Sequence, residues 1–294
     1  MAVFSFLSPF YVAIICLLIV IILQSKKKGK GGEKSEIESK AESRPWVDED
    51  LQDSTDLVVE GDEEKDERIG IEEENILHIP FSPPRYSEQE MVKRSKEFYE
   101  LLNQRRSVRF ISDDPVPKEV IDNIIRAAGT SPSGAHTEPW TFVVVQDPEH
   151  KHKIREIIEE EEEINYRKRM GDKWLNDLKP LRTNWVKEYL DTAPFLILIF
   201  KQVYGILSSN RKKTHYYNEI SVSIACGILL AAIQNAGLVT VTTTPLNCGP
   251  RLRLLLERPV NEKLLMLLPV GYPSKDATVP DLKRKPLEDL MVVF

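Results

Sequence analysis

Charge distribution constrains this chain most, because it divides 294 residues into three stretches of which only one can build a packed core. Residues 1–24 carry no charged side chain. Residues 36–75 hold 17 acidic and 4 basic residues, with few large apolar ones. Such a segment cannot bury enough surface to offset the entropy of ordering it. The total charge is −6, and residues 1–35 contribute five Lys against one Glu, which leaves +3 for residues 76–294. A folded part so weakly basic is not expected to bind nucleic acid, which calls for a dense cationic stripe.

The expected organisation follows: a transmembrane anchor over residues 1–24, a flexible acidic tether over 25–76, and a folded domain over 77–294. A helix of residues 2–23 would span roughly 33 Å at ~1.5 Å per residue, against a hydrocarbon core of ~30 Å. The run lacks the basic start and small-residue cleavage site of a secretory signal. Lys26, Lys27, Lys28 and Lys30 follow at once. Positive flanks stay inside, so the expected topology is single-pass with a cytosolic domain, at the plasma membrane or a vesicle membrane. Cys16, Cys226 and Cys248 form no C-x-x-C, so no disulfide framework is suggested. The five histidines lack metal-ligand spacing, and no metal site is expected.

Within the domain, the densest chemistry lies between residues 105 and 145. Arg105, Arg106, Ser107, Val108 and Arg109 place three guanidinium forks and a hydroxyl in five residues. Such forks match phosphate oxygens bidentately. About 25 residues on, Pro132, Ser133 and Gly134 form a turn able to bring bare backbone N–H groups to a ligand. The plain alternative is a solvated basic helix end and a structural turn. No G-x-G-x-x-G and no P-loop is present, which excludes the common dinucleotide and kinase cradles.

Residues 87–102 read as a helix opened by a Ser87 capping box, with Met91, Phe98, Leu101 and Leu102 apolar. Pro117 opens a second helix that stops at Gly129, and residues 140–145 are a strand. Residues 150–190 read as a charged helical insertion, two helices joined by a turn at Met170, Gly171 and Asp172, too polar for the core and suited to a lid. A solvated hairpin without ligand role is the alternative. Residues 194–200 and 264–270 are strand-like, and 204–215 read as a loop. Residues 218–236 are apolar nearly all round, which predicts a helix packed on both sides and a homodimer with that helix at or near its interface. Residues 238–244 read as a strand with Thr242 and Thr244 on one face. Plain β-propensity explains those threonines equally well.

Taken together, Arg-Arg-Ser-Val-Arg-Phe at 105–110, Pro-Ser-Gly-Ala-His-Thr-Glu-Pro-Trp at 132–140, Glu-Ile-Asn-Tyr at 163–166 and Val-Thr-Thr-Thr-Pro-Leu-Asn-Cys-Gly-Pro at 241–250 resemble the flavin-binding core of the nitroreductase superfamily. The fuller resemblance is to its membrane-anchored, deiodinating branch, and extends over the whole chain. It implies an α+β nitroreductase-like fold, a mixed central sheet flanked by helices with a helical lid at about 150–190. It implies FMN held by Arg105, Arg106, Ser107, Val108, Arg109, Pro132, Ser133, Thr242, Thr243, Thr244 and Arg284. Thr242 and Thr244 would act at the flavin edge as the catalytic pair. Ala135, through its backbone N–H, with Glu162, Tyr166 and Lys187, would bind a halotyrosine. The implied reaction is reductive dehalogenation of mono- and diiodotyrosine to tyrosine and iodide, with NADPH or an NADPH-dependent reductase as electron source. A general FMN-dependent nitroreductase or quinone reductase, or a non-catalytic membrane-tethered binding module, are the rival readings.

Overall fold

Two strands made almost wholly of buried apolar residues organise the fold. The structure, a computed structural model, describes residue 50 and residues 76–207 and 211–294. The expected membrane anchor and nearly all of the expected tether lie outside these residues. Strand β2 (Phe195–Gln202) is buried from Phe195 through Lys201, and β6 (Glu262–Gly271) is buried at every position but one. They pair antiparallel, with β1 (Trp140–Val145) outside β2 and β5 (Val239–Thr240) outside β6, in the order β1-β2-β6-β5.

Alternation along β2 sorts its side chains onto two faces. Phe195, Ile197 and Ile199 pack with α2 (Lys118–Gly129) and α6 (Asn218–Asn235), through Ile121, Ile124, Val222, Leu229 and Ile233. Leu196, Leu198 and Phe200 pack on the other face with Ile154, Ile158, Leu190 and Leu252. Those residues belong to α3 (Pro148–Ile164), α5 (Tyr189–Thr192) and α7 (Gly249–Leu255). The result is an α+β molecule with helices on both faces of one sheet.

Every ladder in that sheet is antiparallel. The sheet is mixed only through a parallel bridge between Ser107 and Thr240, where the Val108 N–H donates to the Thr240 carbonyl at 3.0 Å. That single bridge draws the arginine motif to the sheet edge beside the threonines.

Several expectations need correction. Helix α1 (Glu88–Asn103) begins at the expected Ser87 cap, yet none of its residues is buried, and Met91 and Phe98 are exposed. Residues 204–215 are not a plain loop: β3 (Tyr204–Ile206) and β4 (Lys212–Thr214) form a hairpin too short and polar for its alternation to be read. The 238–244 strand stops after Thr240, then touches the ladder again where Thr243 exchanges two backbone bonds with Leu267. The 150–190 block is not uniformly a lid. Ile154 and Ile158 of α3 are core residues, 0% and 3% exposed, because their side chains face β2 while Glu149, Lys153, Glu156 and Glu160 of the same helix face water. Nor is there a second long helix. After a π-helical turn (Asn165–Arg169), α4 (Gly171–Leu178) is brief, and Arg182 with φ +49 leads into residues 183–188, which carry no regular structure.

Candidate active site

The Ser107–Thr240 bridge sets the arginines along one wall of a cleft of about 660 Å³. Arg105, Arg106, Arg109, Lys283, Arg284 and Lys285 line it with Ser107, and among the described residues no carboxylate does. The chain tail closes it: Arg284 donates to the Arg105 carbonyl at 2.7 Å and to the Asn103 side chain at 3.1 Å, and Arg106 donates to the Pro280 carbonyl. Burial, and then the like charges of Arg284 and Arg106, lower the affinity of Arg105 for its proton. Six cations without an acid make a site that asks for an anion of high charge. Arg284, expected from afar in sequence, is brought to the motif. Asn103 and Pro280 were not anticipated, and nothing local to either predicts its partner.

Arg109 also lines a second, narrower cavity of about 260 Å³. Here the threonine segment Thr242, Thr243 and Thr244 faces Glu162, Tyr166 and Lys187. The three lid residues expected to act together are therefore together. Glu162 and Tyr166 project from the end of α3 and the π-helical turn that follows. Lys187 comes from the irregular 183–188 segment and not, as expected, from a helix. Its Nζ lies 3.7 Å from Glu162 Oε2 and donates to the Asn184 carbonyl at 2.5 Å. Burial pushes the Glu162 carboxyl up and the Lys187 amine down, and each charge pulls the other back. Tyr166 packs edge-on against Trp174 at 4.8 Å and Trp185 at 5.9 Å. Burial raises its phenol, which a hydrogen bond with Thr183 partly offsets. Thr183 was not anticipated. Thr243 has a structural duty besides, since its hydroxyl donates to the Leu267 carbonyl at 2.9 Å.

The Pro132–Ser133–Ala135 turn lies elsewhere. None of the three residues lines either cavity, or the third of about 400 Å³ that adjoins them at Ser107 and Arg109. Gly134 is needed for a reason other than ligand approach: a Cβ there would lie 2.8 Å from the Tyr216 carbonyl, at the N-terminal end of α6. Ala135, His136 and Glu138 all have positive φ, at 49°, 51° and 44°. Three non-glycine residues in that region within four positions is strain of the kind that clusters at functional sites.

An acid-free cationic cleft opening at Arg109 onto a cavity walled by hydroxyls and capped by an ion pair is the outline of a mononucleotide site with a covered substrate chamber. The family profile described as "Nitroreductase family" matches residues 102–272. "Iodotyrosine deiodinase 1" of Homo sapiens is 71% identical over 287 residues, 98% of this chain and 99% of that protein. "Iodotyrosine deiodinase" of Danio rerio is 66% identical over 295 residues, the whole of both chains. A crystal structure of oxidized iodotyrosine deiodinase bound to FMN and 3-iodo-L-tyrosine aligns with a TM-score of 0.57 at 30% identity, over 67% of this chain and 97% of that one. The chain belongs to the nitroreductase family and, within it, to the iodotyrosine deiodinases.

Proposed function

We propose that the chain catalyses reductive deiodination of mono- and diiodotyrosine to tyrosine and iodide on bound FMN. The observation that carries this is the meeting, at Arg109, of a cleft holding six cations and no acid with a cavity capped by one buried charge of each sign. The first fits the FMN phosphate, with Arg105, Arg106 and Arg284 as its holders and Ser107 and Arg109 toward the ribityl chain. The threonine segment fits the flavin edge, where the Thr242 and Thr244 hydroxyls supply hydrogen bonds. When bound, FMN supplies the two electrons that replace iodide with hydrogen on the aryl ring. Glu162 takes the ammonium of the amino acid and Lys187 its carboxylate, so the zwitterion substitutes for the partner each loses. A substrate with both charges can do this without leaving either buried group unpaired. Tyr166, held by Trp174 and Trp185, closes the chamber against water.

A homodimer with the partner's 132–135 turn completing the chamber belongs to this reading. It is supported by the strained turn, which lines none of the three cavities described above, and by exposed apolar residues on α1 (Met91, Phe98), on α6 (Ile220, Ile224) and at the chain end (Met291, Phe294). Ala135 then offers its N–H to the phenolate from the second copy. NADPH, directly or through a reductase, is the electron source. Residues 1–24 anchor a cytosolic domain at the plasma membrane or a vesicle membrane.

The test uses the full chain in detergent. The purified protein carries a flavin absorbance, and with dithionite and diiodotyrosine it releases iodide and tyrosine. A colourless protein that cannot be reconstituted overturns the cofactor assignment. A yellow protein that reduces nitroaromatics but liberates no iodide overturns the substrate assignment. Light scattering at twice the chain mass supports the dimer, and a monomer with full activity rejects it.

A further inference from the structure

Lys187 has no helix to hold it. It sits at the end of an irregular segment, yet its ammonium must stay within reach of a carboxylate in a chamber of about 260 Å³. What fixes its backbone is Glu159, one turn before Glu162 on α3. The Lys187 N–H donates to Glu159 Oε1 at 2.5 Å. The same oxygen accepts from Arg155 Nε at 2.7 Å, and Arg155 Nη1 donates in turn to Asp191 Oδ2 of α5 at 2.8 Å. The Lys187 carbonyl meanwhile accepts from the Leu190 N–H at 2.9 Å, at the start of α5. Lys151, buried in the first half of α3, donates to the Asp191 and Ala193 carbonyls at 2.8 Å each, so the far end of α5 is also fixed to α3.

We infer that Glu159, oriented by Arg155, is a positioning residue for halotyrosine binding: it holds the backbone of Lys187 so that the lysine and Glu162, which share α3 as their common reference, stay at the spacing of an amino-acid zwitterion. The inference rests on the substrate assignment above. Glu159 itself lines none of the three cavities described above and acts through Lys187. The two carboxylates of one helix divide the work: Glu162 meets the ligand's charge, and Glu159 meets the backbone of the residue that meets the other charge.

Dissociation constants of the holoenzyme for 3-iodotyrosine and for 2-iodophenol, which has neither ammonium nor carboxylate, test it. Glu159→Ala is expected to weaken iodotyrosine about tenfold, the effect of one charge-assisted hydrogen bond. It is expected to leave iodophenol affinity and flavin content unchanged. Glu159→Gln, which keeps an oxygen acceptor for the Lys187 N–H, restores most of the loss. In a Lys187→Ala background the Glu159→Ala change has no further effect on iodotyrosine. Equal losses for both ligands, or an additive loss in the double variant, overturn the role, since a general structural defect would produce them. Failure of the unaltered holoenzyme to bind iodotyrosine at all overturns the substrate assignment and not this coupling alone.

Discussion

Glu162 and Lys187 are each disfavoured by burial as ions, and each is kept charged by the other. That arrangement predicts how binding responds to substitution and to pH. Glu162→Gln leaves Lys187 buried without its countercharge and offers the substrate ammonium only an amide. Halotyrosine affinity is expected to fall about 100-fold, since charge-assisted bonds of this kind contribute roughly 1.5–3 kcal/mol, while flavin remains bound; calorimetry with the flavin spectrum as control checks both. The pH dependence has a definite sign. Binding needs the Glu162 carboxylate, and its folded pKa lies above the ordinary 4.5, so affinity is lost on acidification at a higher pH than a solvated Glu would give. Binding needs the Lys187 ammonium, whose pKa lies below the ordinary 10.5, so the alkaline limb moves inward as well. Titrating the dissociation constant across pH shows a narrowed window, and limbs at the solvated values would contradict the burial of the pair. That Glu162 and Tyr166 share a cavity was legible because they stand four apart on one helical face, and the family resemblance supplied the lysine. The Thr183 and Asn103 contacts were not, because each depends on a partner that chain order does not reveal.

At the scale of elements, α3 is two things end to end. Its first three turns are core and its last turn lines the cavity of about 260 Å³ through Glu162. Ile154→Ala is expected to cost about 2–5 kcal/mol, as for other fully buried aliphatic truncations. Glu163→Ala, which removes an exposed pair with Arg167 at 2.7 Å, is expected to cost no more than about 1 kcal/mol. Urea denaturation of the two variants compares them directly, and similar small losses would mean that the whole helix is a detachable lid. The sequence places this helix outside the core because five consecutive glutamates, 159–163, dominate its composition, although two isoleucines four apart suffice to fix its inner face. Strands β2 and β6 were legible for the opposite reason: a strand covered by helices on both sides has no polar alternation to obscure it. The β3–β4 hairpin, with three residues a side and its two apolar residues separated by Gly205, offers no such run.

At the scale of the molecule, the acidic stretch reads as a flexible tether, because its composition alone cannot bury a core. One of its residues does touch the domain. Asp50 accepts from Arg253 Nη1 at 2.9 Å and from Lys263 Nζ at 2.8 Å, more than 200 positions away. Burial alone would raise its carboxyl, but the bonds from Arg253 and Lys263 outweigh that and hold it below the usual value. Asp50→Ala strands two mostly buried cations without their carboxylate, and is expected to lower stability by about 2 kcal/mol at neutral pH. A group held low in the folded state stabilises above its unfolded pKa and loses that contribution as pH falls through the folded value. The gap between the two proteins should therefore shrink on acidification below pH 3.8, which thermal melts across pH would show. A constant gap would mean that the carboxylate's charge plays no part.

Where the Asp50 mooring sits decides where a pull arrives. Arg253 lies on α7 and Lys263 on β6, an inner strand of the sheet. Tension reaching Asp50 from the N-terminal side is handed through Arg253 and Lys263 to a helix and to an inner strand of the sheet. Counted from residue 25, a leash fastened at residue 50 has 26 residues against 52 for one fastened at 76, so if residues 1–24 are held, one carboxylate halves the reach of the domain.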